Sequence, residues 1–114
     1  NLVALFQRSG DSDQEEYRRD RSEKLLRKAP YFQYQQGRRH ELAGEWGEAA
    51  KFFMRAVRLN PMEHRFHFAL ARVYFETGQH VKASRELSKA LELSDGVQAE
   101  RYQAKLAALH RMRH

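Results

Sequence analysis

The sequence predicts an all-α protein built as a stack of antiparallel helical hairpins. Three observations indicate this class. The composition favours helix, with two prolines and six glycines in 114 residues. The chain repeats itself at an offset of 34 residues, which places Phe32 on Phe66 and Gly44 on Gly78. Within each repeat, apolar residues recur at the spacing of one helix face.

The internal repeat shows six identical pairs at this offset. They are Phe32 and Phe66, Arg38 and Arg72, Gly44 and Gly78, Ala49 and Ala83, Ala56 and Ala90, and Leu59 and Leu93. Similar residue types also pair, as Gly37 does with Ala71 and Phe53 with Leu87. Because small residues fall on small ones, the offset indicates one packing scheme used twice.

Each repeat is predicted to form two helices joined by a short turn. The first helices are expected over residues 31–43 and 65–77, and the second helices over residues 46–59 and 80–93. Gly44 and Gly78 can end the first helices, because glycine tolerates the left-handed conformation. Pro61 disfavours helix at Asn60 and so separates the two repeats. Small side chains allow close helix crossings at Ala49, Ala56, Ala83 and Ala90.

Further helices are predicted on both sides of the repeats. Residues 11–29 have the pattern of a polar surface helix, and a last helix is expected over about residues 97–112, with Tyr102, Leu106 and Leu109 on one stripe. The predicted organisation is an N-terminal part (1–29), two repeats (30–61 and 62–95, together 30–96) and a C-terminal capping helix (97–114). The apolar run at residues 2–6 has two interpretations: the end of a membrane helix upstream of residue 1, or an amphipathic first turn.

At these positions the chain resembles the tetratricopeptide repeat (TPR) family, over residues 30–95. The resemblance rests on Gly37, Gly44, Ala49, Phe53, Ala56 and Pro61 in the first repeat and on Leu70, Ala71, Tyr74, Gly78, Ala83, Leu87 and Ala90 in the second. It implies a TPR-like superhelix that ends in a capping helix. Gln33, Gln36 and His40 depart from the family pattern, because these positions are usually bulky and apolar. Loose packing of the first helix is therefore expected.

The resemblance also implies a concave groove that binds a peptide or helix of a partner protein. The expected groove residues are Tyr34, Arg38, Glu41, Arg65, Phe68, Arg72, Phe75 and Tyr102. Three of them, Tyr34, Phe68 and Tyr102, would form an aromatic ladder beside two arginines, which suits an acidic segment with apolar anchors. In the alternative interpretation, these aromatic residues pack between the hairpins. Tyr34, Arg38 and Ala69 stand where some family members clamp a carboxylate, so the usual clamp is not expected.

Catalysis and metal binding find little support in the sequence. There is no cysteine, and no nucleophile motif or phosphate-binding loop occurs, so we expect neither an enzyme nor a cofactor site. His64 and His67 are three apart and His110 and His114 are four apart, but spacing suggests no third ligand for either pair. We therefore predict no metal site.

The predicted function is that of a protein-interaction scaffold that assists assembly of a larger complex. Similar repeat proteins suggest a bacterial envelope, secretion or polysaccharide-export assembly as the context. The net charge of +6 leaves an alternative, in which Arg101, Lys105, Arg111 and Arg113 bind nucleic acid or another anionic surface. Self-association is a third hypothesis. The sequence is compatible with a cytoplasmic and with a membrane-anchored location.

Overall fold

The computed structural model describes residues 29–112, and this range contains five α-helices and no strand. The helices are α1 (Pro30–Leu42), α2 (Trp46–Leu59), α3 (His64–Glu76), α4 (His80–Glu92) and α5 (Gly96–Met112). Each end lies within one residue of its predicted position, so the all-α fold is confirmed. The helix expected over residues 11–29, the apolar run at residues 2–6 and Arg113 lie outside the described residues.

The helices pack in chain order: α1 on α2, α2 on α3, α3 on α4 and α4 on α5. Gly44 and Gly78 follow the first helix of each hairpin and have φ angles of +75° and +77°. Other residues adopt this left-handed region only at a cost, so glycine sets both turns. None of the described helices combines the length and the apolar character of a membrane span.

The core lies between the helices of the two hairpins and along their contact. The four alanines expected at close crossings, Ala49, Ala56, Ala83 and Ala90, are fully buried. One core cluster consists of Ala49, Phe53, Ala69, Leu70 and Val73, and a second consists of Ala71, Leu87, Ala90 and Tyr102. Small side chains on α2 and α4 thus let the neighbouring helices approach closely.

The closest approach within the first hairpin is between Gly37 of α1 and Phe53 of α2. A Cβ atom placed on Gly37 would lie 2.5 Å from Cε1 and 2.6 Å from Cδ1 of the Phe53 ring. The equivalent residues of the second hairpin, Ala71 and Leu87, meet in one core cluster. A larger residue on the second helix is therefore matched by a smaller one on the first helix.

The polar residues of α1 are accommodated by the packing, so the expected looseness is not seen at these positions. Gln33 is buried. His40 stacks on Phe52 with 5.3 Å between ring centroids and 8° between the ring planes. The His40 side chain thus contributes to the α1–α2 hairpin despite its polarity.

His67 is a buried polar residue that connects the turn between the repeats to α4. Its Nε2 donates to the carbonyl oxygen of Pro61 at 2.8 Å, and its Nδ1 lies 2.8 Å from Oε2 of Glu86. Both ring nitrogens are engaged, which satisfies the rule that buried polar groups need partners.

Candidate protein-binding groove

An apolar cavity of about 330 Å³ opens on the inner side of the helix array, between α3 and α5. Its apolar lining includes Trp46, Phe68, Phe75, Leu87, Leu109 and Met112. Four charged residues also line it: Glu41, Arg72, Glu76 and Lys105. A concave, mostly apolar cavity with a few charged groups is the usual form of a binding site. We call this cavity and its lining the inner groove.

Glu41 forms an ion cluster with two arginines at one end of the inner groove. It accepts hydrogen bonds from Arg72 Nε at 2.7 Å and Nη2 at 2.9 Å, and from Arg38 Nη1 at 2.6 Å. Burial by itself raises the pKa of the Glu41 carboxyl, but the hydrogen bonds and charges of Arg72 and Arg38 lower it below the usual 4.5. The cluster joins α1 to α3, so Arg72 has a structural role in addition to lining the groove.

Phe68 lies between two cations and a buried tyrosine. The Cζ atom of Arg72 is 4.9 Å and Nζ of Lys105 is 5.5 Å from the centre of the Phe68 ring. The Tyr102 ring centre is 4.9 Å away. Lys105 is exposed and has no ion pair within residues 29–112. It therefore presents to the groove a positive charge that forms no ion pair with an acidic residue of this range, although Glu76 lines the same cavity.

The expected aromatic ladder is interrupted. Phe68 and Tyr102 are adjacent, but Tyr34 contacts Tyr31, Phe53 and Phe66, at 5.7, 5.7 and 5.3 Å between ring centres. Tyr102 is only 3% exposed and belongs to the second core cluster. Both tyrosines therefore pack against neighbouring helices, and their contact with a partner stays a prediction.

The other expected groove residues divide into two groups. Phe75 lines the inner groove and meets His80 edge to face, with 5.4 Å between ring centres. Arg38 is half-exposed and donates a hydrogen bond to Glu41. Neither Arg38 nor Arg65 lines the cavity. Arg65 is exposed, donates to Glu63 at 2.9 Å and lies above the Tyr31 ring. Their contact with a partner stays a prediction.

Part of the lining of the inner groove was not predicted from the sequence. Trp46, Leu87, Leu109 and Met112 were not among the expected groove residues, and Lys105 was assigned to an anionic surface. The expected residues came from the first helix of each hairpin and, with Tyr102, from the last helix, whereas Trp46 and Leu87 come from second helices. The apolar stripe of α5 could have indicated that Leu109 lines the groove. A capping helix packs beside the first helix of the last hairpin, which here is α3.

Tyr102 also carries a polar contact, because its hydroxyl lies 2.7 Å from Nδ1 of His64. Burial raises the pKa of the Tyr102 hydroxyl above the usual 10.0, so it stays neutral at physiological pH. We expect Tyr102→Phe to lower the free energy of unfolding by about 1 kcal/mol, since His64 loses a hydrogen-bond partner. Urea denaturation measures this change. The control Tyr31→Phe, at an exposed ring, should change stability by less than about 0.5 kcal/mol; equal losses would contradict the assignment.

The histidines do not converge on a metal site. Among residues 29–112 no group of three potential metal-binding side chains occurs. His64 and His67, which were considered as a pair, are engaged by Tyr102 and by Pro61 and Glu86. His114, the partner proposed for His110, lies outside the described residues.

Three of the four basic residues considered for nucleic-acid binding lie on α5, and all three are exposed: Arg101, Lys105 and Arg111. Lys105 lines the inner groove. Nucleic-acid binding, self-association and an anchor upstream of residue 1 are not tested by the described residues and stay predictions.

Stacked antiparallel hairpins with one repeated packing scheme define an α-helical repeat protein. A family model of the tetratricopeptide repeat matches residues 40–109, and the chain belongs to this family. No curated protein sequence matches the chain.

Solved structures with a similar fold include type III secretion chaperones. The translocator chaperone SycD of Yersinia enterocolitica has a TM-score of 0.73 and 19% identity, over 98% of this chain and 81% of SycD. SycD in complex with a peptide of the translocator YopD has a TM-score of 0.71 and 18% identity, over 99% and 95% of the two chains. PcrH in complex with the chaperone-binding region of PopD has a TM-score of 0.73 and 16% identity, over 99% and 94%. At such identities, the likeness shows a shared fold.

Proposed function

We propose that this chain is a protein-interaction scaffold that holds a segment of a partner protein in the inner groove and thereby assists assembly of a larger complex. The observation that carries the proposal is the open apolar cavity of about 330 Å³ beside Lys105. Within residues 29–112 the Lys105 cation has no ion-pair partner. Large apolar side chains bound in a desolvated pocket supply most of the energy of such interfaces. The scaffold acts by binding and not by catalysis.

The lining specifies the chemistry of the partner segment. Phe68, Phe75 and Met112 offer apolar and aromatic contact area for a large apolar side chain. Lys105 favours a carboxylate next to that side chain, because a charge-assisted hydrogen bond is stronger than a neutral one. Arg72 contributes less to this preference, since its Nε and Nη2 already donate to Glu41. The proposed ligand is thus a segment with an apolar anchor beside Asp or Glu.

The similar structures support a peptide ligand. Two of the three structures contain a bound segment, a YopD peptide in SycD and the chaperone-binding region of PopD in PcrH. Their fold is that of the present chain, although the sequences have diverged. A bacterial secretion complex, or another envelope or polysaccharide-export assembly, is the context that we propose.

Reversing the groove cation should weaken peptide binding. Peptides selected from a random library on the full chain provide the ligands, and the fluorescence of Trp46, the chain's one tryptophan, reports their affinity. We expect Lys105→Glu to weaken binding about tenfold or more, because a carboxylate then meets a like charge. The matched control is Arg101→Glu, which makes the same charge change at an exposed site outside the groove. Equal effects of the two variants would contradict the proposal.

A steric block tests the cavity without removing a contact. Ala108 lines the inner groove, and Ala104 is exposed on the same helix outside it. We expect Ala108→Tyr to abolish binding of the selected peptides and Ala104→Tyr to leave it unchanged, with both variants fully helical by circular dichroism. Unchanged binding by Ala108→Tyr would show that the peptides occupy another surface.

A further inference from the structure

A surface formed by α2 and α4 carries two stripes of basic side chains, and none of them lines the inner groove. Lys51, Arg55 and Arg58 follow one face of α2, and Lys82, Arg85 and Lys89 follow one face of α4. All six are exposed. The repeat offset places Arg85 on Lys51 and Lys89 on Arg55, so both hairpins present cations in the same direction. We call this surface the basic outer face.

The acidic residues of these two helices neutralise this face only in part. Glu48 accepts a hydrogen bond from Nζ of Lys51 at 3.2 Å. Glu86 is mostly buried and is engaged by His67 as well as by Lys89. Glu92 is exposed. Arg58 and Arg85 have no ion pair in the described part of the chain, so the face keeps an excess of positive charge.

Apolar side chains project from the same surface. The exposed fractions are 42% for Met54, 48% for Leu59 and 53% for Val81, and 71% for Met62 in the turn after α2. On α2, Met54 is three residues after Lys51 and four before Arg58, and Leu59 is four after Arg55, which are the spacings of neighbours on one helix face. Scattered exposed apolar residues are common on proteins, but here they alternate with cations on one face.

A shallow cleft of about 240 Å³ separates the two basic stripes. Its lining is largely apolar and includes Met54, Val57, Leu70 and Tyr74. At its edges lie Arg58, and Lys82 with its Nζ 5.7 Å from the centre of the Tyr74 ring. Glu86 also lines the cleft, and His67 and Lys89 engage its carboxylate. The cleft thus combines apolar walls with cations at its edges and one paired carboxylate.

We propose that the basic outer face docks on an anionic lipid bilayer. A bilayer surface accepts both components of the face: its anionic headgroups attract the cations, and its interfacial region accommodates the projecting apolar side chains. Nucleic acid or an acidic protein tail would pair with the cations and leave Met54 and Val81 in water. The inference does not depend on the proposed function, because the inner groove and the cleft of this face share no lining residue.

Sedimentation of the full chain with lipid vesicles tests the electrostatic part. The chain should bind vesicles containing phosphatidylglycerol and not vesicles of phosphatidylcholine alone. Arg58→Glu combined with Arg85→Glu should reduce the partition constant by about tenfold or more, since each basic residue near an anionic surface contributes appreciably. The matched control, Arg101→Glu combined with Arg111→Glu, reverses the same number of exposed charges on α5 and should retain most of the binding.

A second pair of variants tests the apolar part and separates a bilayer from other polyanions. Met54→Ser combined with Val81→Ser should weaken vesicle binding about tenfold or more, because apolar area no longer enters the interface. The control, Leu42→Ser combined with Val97→Ser, removes two exposed apolar side chains that belong neither to this face nor to the inner groove, and it should bind vesicles as the parent chain does. Circular dichroism checks that all four variants are folded.

Three results would overturn the proposal. The first is failure of the parent chain to sediment with phosphatidylglycerol vesicles. The second is an equal loss of binding in the α5 charge control, since net charge alone would then account for the effect. The third is full vesicle binding after Met54→Ser with Val81→Ser, which would identify the face as a site for a soluble polyanion.

Discussion

Gly37→Ala is expected to lower the free energy of unfolding by about 2–3 kcal/mol, because the added methyl group overpacks the core. The new Cβ atom would lie 2.5 Å from the Phe53 ring, and Phe53 is fully buried in a core cluster. Either the Phe53 ring or the backbone of α1 must shift to relieve this overlap, and the ring is surrounded by core residues. Urea denaturation followed by circular dichroism measures the loss.

The second hairpin suggests how to rescue this variant. Phe53→Leu alone should cost about 1–2 kcal/mol, because it leaves a small cavity. The double variant Gly37→Ala/Phe53→Leu reproduces the Ala71–Leu87 pair of the second hairpin, so we expect it to be about as stable as Phe53→Leu. The double-mutant cycle should then give a favourable coupling of about 2 kcal/mol.

Gly47→Ala is the matched control, since a Cβ atom on Gly47 would have no neighbour within 4 Å. It lies in α2, where alanine favours helix over glycine by up to about 1 kcal/mol, so the control should be neutral or stabilising. A similar loss in both glycine variants, or strictly additive effects of Gly37→Ala and Phe53→Leu, would contradict the proposed steric fit.

The second large effect is expected at the ion cluster between α1 and α3. Arg72→Met should lower the free energy of unfolding by about 2 kcal/mol, which is between the values for exposed and buried ion pairs. The intermediate value follows from burial, because the side chain of Glu41 is 10% exposed and that of Arg72 is 28% exposed. Arg38 alone then remains to compensate Glu41.

The control for this substitution is Arg65→Met. Arg65 pairs with Glu63, but its side chain is more than half exposed, so the loss should be less than about 0.5 kcal/mol. Glu41→Gln in the Arg72→Met background should recover part of the lost stability, because it removes the under-compensated charge. If the two arginine variants proved equally stable, the ion cluster would not be a structural link.

The same cluster sets a pH dependence. The pKa of Glu41 is lowered in the folded state, so its ionised form stabilises the fold. This contribution is fully present above the unfolded pKa of about 4.5 and is lost as the pH falls through the lower folded value. Chemical denaturation of the parent chain should therefore show a steeper fall in stability below pH 4.5 than the Glu41→Gln variant shows. If stability fell in parallel with pH in the two proteins, this role of the Glu41 carboxylate would be contradicted.

The cluster also affects how the groove is tested. Arg72→Glu would place a carboxylate against Glu41 and disturb the α1–α3 contact, so a loss of binding would not distinguish a lost contact from a lost fold. Lys105→Glu and Ala108→Tyr avoid this ambiguity, because neither residue belongs to the ion cluster or to a core cluster.

The primary structure was sufficient to predict the helices, their ends and their pairing into two hairpins. These features depend on local rules: glycine at a left-handed turn, proline after a helix, and small residues at helical spacing. Because the same rules recur 34 residues later, as Gly44 and Gly78 show, the repeat reinforced each prediction. The alanines at the helix crossings were identified in the same way.

Contacts between distant residues were decided by the tertiary arrangement. Glu41 meets Arg72 across 31 residues, Tyr102 turns inward to His64, and Trp46 reaches the inner groove from a second helix. Periodicity indicates which face of a helix is buried, but it does not indicate which partner that face meets. Whether an arginine is free to bind or already paired depends on how neighbouring helices are placed, and only folding sets this placement.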